Sequence, residues 1–305
     1  MPPPSTSPTT ASPTTPNSLS RLPPLTTLLI YPATLILGSL FSVLSPTAHQ
    51  ASPAEAQSRP INYFARKDNI FNVYFVKIGW IWLTLAFVSL IISFPPSINR
   101  QTRQIQAFLR YVLATAAWYA TTQWFFGPAI IDRSFVITGG KCEAVLRDLS
   151  RGQHEKGVLG TAGEEPLSVY FTAAACKAAG GAWRGGHDVS GHVFMLVLMT
   201  AVLAFEGLGV MAQTPTETSQ AEASDADEKR GGEESSGGET RTWILRFVGV
   251  IVGLSWWMLL MTAIWFHTWL EKANGLLVAL ASIYAIYFLP RRVIPLKNFV
   301  GIPGA

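Results

Sequence analysis

The sequence predicts an all-α, polytopic membrane protein of about six transmembrane helices, with a long loop between helices three and four. Three observations point there. Of 305 residues, 49% are hydrophobic and only 14% charged, too apolar for an ordinary soluble domain. Six apolar stretches, at about 25–44, 73–94, 105–126, 193–211, 244–266 and 273–289, reach or approach the roughly 17–25 residues that cross a bilayer. Polar, low-complexity sequence is confined to segments outside those stretches.

Residues 1–20 are almost all Pro, Ser and Thr, a composition that cannot bury a core, and are expected to be a disordered tail. The first stretch opens a membrane domain over 21–211. Arg21 before it and Ser45-Pro46-Thr47-Ala48 after it imitate a secretory signal. The run is longer than the usual 7–15-residue apolar core of a signal peptide, so it reads as a retained anchor. Arg100, Arg103 and Arg110 flank the connection between stretches two and three, and Arg291, Arg292 and Lys297 follow the sixth. Basic residues collect in cytosolic connections, so an even number of spans places both termini in the cytosol. Arg59, Arg66 and Lys67, in the first connection on the other side, run against that pattern. The net charge of +4 is thereby explained by topology, and no nucleic-acid partner is expected. Trp80, Trp82, Trp118, Trp124, Trp265 and Trp269 sit near the ends of stretches, where indoles rest at headgroup level.

The loop over 127–189 carries both cysteines. Cys142 and Cys176 are a candidate disulfide, with free thiols or two zinc ligands as alternatives. After the fourth stretch, 212–243 is an acidic, Ser- and Gly-rich segment expected to be a cytosolic linker. The last two helices occupy 244–295, and 296–305 reads as a cytosolic tail.

Span parity gathers Lys77, Lys141, Arg184, His187, Asp188, His192, His267, Glu271 and Lys272 on one aqueous face. Histidine serves as nucleophile or proton donor near neutral pH, and phosphoryl transfer needs both roles filled. Glu271 stands four residues after His267. If the fifth helix continues past His267, the carboxylate shares its face and fixes its tautomer, which makes His267 the candidate nucleophile. His192 follows Ser190-Gly191 at an expected helix start. Ser190 is a good N-cap, free N–H groups there suit a phosphate, and His192 is the candidate acid. Asp188 orients it if the helix begins early. A lone histidine at a membrane boundary is more often a hydrogen-bonding residue than a catalyst. Two at one level, one after Ser-Gly and one before a spaced carboxylate, shift that balance. A zinc site from His187, His192, His267 and a cysteine matches no usual ligand spacing, so neither metal nor cofactor is expected.

The string Gly185-Gly186-His187-Asp188-Val189-Ser190-Gly191-His192-Val193-Phe194 closely resembles the signature of the fat storage-inducing transmembrane (FIT) family. So do Asn72-Val73-Tyr74-Phe75-Val76-Lys77-Ile78-Gly79-Trp80-Ile81-Trp82, Gly140-Lys141-Cys142, Cys176 with Gly180-Gly181-Ala182-Trp183, and Phe266-His267-Thr268 with Glu271-Lys272. The resemblance covers about 25–295 and implies six spans in the endoplasmic reticulum membrane with both termini cytosolic and the histidines lumenal. It implies cleavage of the diphosphate of fatty acyl-coenzyme A (acyl-CoA), giving acyl 4′-phosphopantetheine and adenosine 3′,5′-bisphosphate, and a part in lipid droplet formation. In its histidine motifs the family is similar to lipid phosphate phosphatases, which implies His192 as acid and His267 as nucleophile. This chain has Glu271 where those enzymes carry Asp, and lacks their phosphate-binding Ser-Arg pair. Lys77, Lys141, Arg184 or Lys272 must then neutralise phosphate, Lys77 and Arg184 first, with Ser190 contributing at the helix start. Two other readings use the same architecture: a non-catalytic binder of diacylglycerol or triacylglycerol, and a lipid phosphate monoesterase.

Overall fold

The computed structural model describes residues 23–45, 62–94, 99–123, 129–142, 172–178, 183–184, 189–212 and 231–304. The N-terminal tail, Arg59, His187 and Asp188 lie outside the described residues. A 3₁₀ turn, Leu25–Leu29, leads into α1 (Ile30–Leu44), and a π-turn, Asn72–Val76, precedes α2 (Gly79–Ile92). α3 (Arg100–Thr122) and the short α4 (Ile130–Ile137) follow, then β1 (Lys141–Cys142), α5 (Ala173–Ala178) and β2 (Trp183–Arg184). The second half holds α6 (Gly191–Ala212), α7 (Gly231–Trp265), α8 (Trp269–Ile283), a π-turn at Tyr284–Phe288, α9 (Leu289–Arg292) and α10 (Ile294–Val300).

Among the described residues, four helical stretches are long and apolar enough to cross a membrane: Leu25–Leu44, Gly191–Ala212, Gly238–Trp265 and Trp269–Arg292. The chain is a multi-pass, all-α membrane protein. The other two expected segments differ for visible reasons. Helix α2 keeps 14 residues because the wide turn at Asn72–Val76 interrupts its approach, and α3 has 23 residues but three arginines in its first half.

Helix α6 is apolar on every side, and α2, α3, α7 and α8 pack around it. Its apolar window is 89% buried, against 22% for α1, so α6 is the axis of the bundle and α1 its rim. Ile36, Leu37, Leu40 and Phe41 of α1 are exposed, the face that meets acyl chains in a bilayer.

Three sequence expectations change here. Arg110 is not a surface charge marking topology: it is 3% exposed and grips Glu206 of α6 with Nε and Nη2 at 2.6 and 2.7 Å. Its Nη1 donates to the carbonyl of Val300 at 2.9 Å, and the Tyr287 hydroxyl donates to Glu206 Oε1 at 3.1 Å. A guanidinium in an apolar bundle needs an anion and acceptors for its remaining N–H groups, and this arrangement supplies both. Within the expected 296–305 tail, residues 296–304 are packed on the bundle, because α10 and the turn after it close over this pair, with Val300 and Ile302 buried. The 212–243 segment is no linker throughout, since α7 starts at Gly231 and Arg241 Nη2 donates to the Val210 carbonyl at 2.5 Å.

Candidate active site

The opposite end of the bundle holds the histidines. Ser190 caps α6: its Oγ accepts from the Val193 N–H at 3.3 Å. It is fully buried, and its own N–H donates to the Glu271 carbonyl at 3.1 Å. That bond ties the start of α6 to the start of α8. Gly275 makes the approach possible, because a Cβ there would lie 2.6 Å from the Ser190 carbonyl oxygen. Ser190 thus faces the protein interior as a cap and tether, while His192, one turn-edge further, faces outward half-buried.

Helix α7 does not continue past His267. It ends at Trp265, and His267 takes φ of 63°, the left-handed region that few non-glycine residues enter. Helix α8 then restarts with Thr268 as N-cap in a capping box with Glu271, whose N–H reaches Thr268 Oγ1 at 3.4 Å. Glu271 Oε2 accepts from the Thr268 N–H at 2.8 Å and lies 3.3 Å from His267 Nδ1. The expected His–Glu pairing therefore forms across a helix break.

The two rings come together, with centroids 5.9 Å apart and planes inclined by 50°. Each is held through one nitrogen. Glu271 holds Nδ1 of His267 as a donor, which leaves the lone pair on Nε2. His192 Nε2 lies 3.1 Å from Asn72 Oδ1. The Asn72 amide group donates to the Lys67 carbonyl at 2.8 Å, which turns its oxygen toward His192 and makes Nε2 the donor. Nδ1 of His192 is the nitrogen left over. Burial holds the His267 imidazole below its ordinary pKa of 6.5; Glu271 pulls it up, and Lys272 and Lys67 push it further down.

Asn72 is a candidate site residue that the sequence left unassigned, although it opens one of the motif blocks. Its N–H donates to Asn69 Oδ1 at 2.7 Å, and Asn69 Nδ2 donates to the Arg66 carbonyl at 2.6 Å. The 62–70 segment is thereby folded into a platform beside His192, and Phe64 pins it against Trp257 of α7 at 6.0 Å. Lys67, which fitted the charge pattern poorly, is exposed on this platform and acts electrostatically on both rings, and Lys77 acts on His192 as well. Lys77 is exposed and lines a 260 Å³ cavity with His192.

The remaining candidates separate. Lys272 turns inward, donating to Ser39 Oγ at 3.1 Å and the Ala263 carbonyl at 2.6 Å, so it joins α1, α7 and α8 instead of facing substrate. The backbones of Lys141 and Arg184 pair across β1 and β2. Cys142 and Cys176 are joined by a disulfide, which closes the loop beside that pairing and leaves neither sulfur as a zinc ligand. Helix α4 rests on the start of α6, with Ile131 against Gly191.

The model of the fat storage-inducing transmembrane protein family matches residues 60–287, which include both histidines, Asn72, Lys77 and Glu271. The chain is 29% identical over 274 residues to acyl-coenzyme A diphosphatase fit1 of Schizosaccharomyces pombe, covering 89% of this chain and 87% of that protein. It is 27% identical over 250 residues to acyl-coenzyme A diphosphatase SCS3 of Saccharomyces cerevisiae, covering 59% and 63%. It is 26% identical over 259 residues to acyl-coenzyme A diphosphatase FITM2 of Homo sapiens, covering 84% and 78%. No solved structure matches the chain. With the family model spanning well over half the sequence and the histidine site inside it, this chain belongs to the fat storage-inducing transmembrane family.

Proposed function

We propose that this chain is an acyl-coenzyme A diphosphatase, cleaving fatty acyl-CoA to acyl 4′-phosphopantetheine and adenosine 3′,5′-bisphosphate. The observation that carries this reading is the pair of imidazoles 5.9 Å apart, each anchored through one nitrogen and, among the described residues, keeping the other for chemistry. The relatives named above carry that activity in their names. In this reading the protein lies in the endoplasmic reticulum membrane, both termini cytosolic and the histidines lumenal, where it supports lipid droplet formation.

The chemistry follows from the two remaining nitrogens. Nε2 of His267 attacks one phosphorus of the diphosphate; a P–N bond forms as the bridging P–O bond breaks, and its electron pair leaves on the bridging oxygen. His192 enters the step as the imidazolium, with a second proton on Nδ1, and gives that proton to the oxygen while Nε2–H stays on Asn72. Water then attacks the phosphohistidine, giving its proton to Nδ1 of His192, and the P–N bond breaks with its pair returning to His267. Near-attack distances of about 3–3.5 Å on either side of phosphorus fit one phosphoryl group between the rings. Lys67 and Lys77 supply the charge that the missing Ser-Arg pair supplies elsewhere. Their exposed ammonium groups suit a mobile, tetrahedral anion.

A second reading, non-catalytic binding of diacylglycerol or triacylglycerol, draws on a 360 Å³ apolar cavity between α1, α6 and α7, lined by Leu28, Tyr31, Phe205 and Trp256 among others. Product analysis with purified protein and oleoyl-CoA separates the two. Release of acyl 4′-phosphopantetheine and adenosine 3′,5′-bisphosphate by wild type, and none by a His192→Ala, His267→Ala double variant, supports the enzyme. Equal release by both, or none by either, removes it. Inorganic phosphate released from lipid phosphate monoesters in place of diphosphate cleavage would redirect it to a monoesterase.

A further inference from the structure

From the cavity that opens beside His192 we infer that the uncharged acyl-pantetheine arm of the substrate lies between α2, α3 and α6; this rests on the acyl-CoA reading above. The cavity encloses about 260 Å³ and has two distinct walls. Toward the bundle it is apolar: Val76 and Met195 are buried, and Trp80 and Trp118 stack with ring centres 4.8 Å apart and planes within 11°. The Trp80 Nε1–H is already spent on Thr115 Oγ1 at 3.3 Å, so that indole offers only its ring. At the rim stand Lys77, Gln123 and the His192 ring itself.

Coenzyme A offers two halves to such a groove. The nucleotide half carries a 3′-phosphate and a base, and its charge is badly served by indoles, a thioether and a valine with one lysine at the edge. The other half is a chain with two amides that runs into a thioester and a hydrocarbon tail. That sequence matches the wall: the Gln123 amide, exposed at the end of α3, suits an amide of the arm, and the stacked indoles and Met195 suit the first carbons of the tail. Direction agrees too. Trp118 lies one turn below the end of α3, toward the apolar body of the bundle, so the groove leads from His192 to where hydrocarbon belongs. The phosphorus remains at the histidines, and the nucleotide projects away into water past the 62–70 platform.

Photolabelling with the full-length protein tests this. His267→Ala is used so that probes bind without turnover, and two acyl-CoA analogues are compared, one with a diazirine near the thioester end of the acyl chain and one with an azide on adenine. The diazirine is expected to label the peptides holding Trp118 and Met195, and Trp118→Ala is expected to cut that labelling several-fold while adenine labelling persists. Adenine-directed labelling of the Trp118 and Met195 peptides would overturn the assignment, and so would diazirine labelling confined to other helices. Wild-type turnover of oleoyl-CoA, measured alongside, keeps the two levels apart. Turnover with labelling elsewhere removes the groove alone; no turnover removes the functional reading and the groove with it.

Discussion

Glu271 Oε2 lies 3.3 Å from His267 Nδ1 while accepting the Thr268 N–H at 2.8 Å, so one carboxylate both starts α8 and orients the ring that precedes it. The histidine reaches it only because its own backbone enters the left-handed region, which costs roughly 1–2 kcal/mol and persists because the capping box and the end of α7 fix both sides. Glu271→Gln is expected to retain the cap but weaken the orienting bond, leaving activity between wild type and His267→Ala. His267→Ala is expected to abolish phosphoenzyme formation. His192→Ala is expected to lose about 10²–10⁴-fold, the usual worth of a general acid, and less on substrates whose leaving group needs no proton. Rapid-quench trapping of phosphohistidine with parallel steady-state rates checks all three; a phosphoenzyme in His267→Ala would refute the assignment.

The pH profile carries the sign of the same contacts. The attacking form of His267 is neutral, and its pKa is lowered below 6.5 by burial, so the acid limb of kcat/KM is expected below 6.5, while loss of the proton that His192 must donate sets the alkaline limb. Glu271 is the group that raises this pKa, so Glu271→Gln is expected to move the acid limb to lower pH. Lys67 lowers it, so Lys67→Gln is expected to move the limb to higher pH. Shifts in the same direction for the two variants would contradict the arrangement.

The helices and the histidine motifs were legible because they are local signals: apolar runs of bilayer length, Ser-Gly-His at a helix start, a carboxylate four residues after a histidine. What the sequence hid is what folding makes from distant pieces. Asn72 and His192 lie 120 positions apart, and nothing local announces that the Lys67 carbonyl turns the amide between them. Glu206 and Arg110 each sit within an apolar run, 96 positions apart; only the bundle shows that each is the other's reason to be there. Lys67 broke the charge rule for topology because it stands beside the site, where a cation has other work.

The buried pair supports a stability prediction at the end remote from the histidines. Glu206→Ala leaves the Arg110 guanidinium buried and unpaired, which is expected to cost about 3–5 kcal/mol. Replacing both by apolar residues, as in Arg110→Met with Glu206→Leu, is expected to recover most of that loss. Thermal melting in detergent gives the order, and a double variant less stable than Glu206→Ala would argue against pairing as the cause.

The disulfide between Cys142 and Cys176 spans 34 positions, and closing a loop of that size restrains the unfolded chain by about 3–4 kcal/mol. Cys142→Ala or Cys176→Ala is expected to make the 127–189 loop cleave faster under limited proteolysis. Because α4 rests Ile131 against Gly191, activity is expected to fall as well, though less than for either histidine variant. Unchanged cleavage in both variants would show that the link does not hold this loop.

Gly275 offers the narrowest test of how the two histidines are held in register. A methyl group there meets the Ser190 carbonyl oxygen at 2.6 Å, well inside contact, so Gly275→Ala must push the starts of α6 and α8 apart. The bond from the Ser190 N–H to the Glu271 carbonyl lengthens with them, and His192 withdraws from His267. A misplacement of about 1 Å at reacting groups costs on the order of 10²-fold, so kcat is expected to fall by about that factor. Trp80, Trp118 and Gln123 of the groove stand on other helices and keep hold of the arm while Gly191, His192 and Met195 move with α6, so KM is expected to rise much less than kcat falls. Helix propensity works the other way, since alanine is favoured over glycine by about 1 kcal/mol within a helix. Gly249→Ala is the control, a helical glycine with nothing within 4 Å of an added Cβ, and is expected to leave kcat alone. Equal kinetics for the two variants would mean that the α6–α8 approach does not set the distance between the rings.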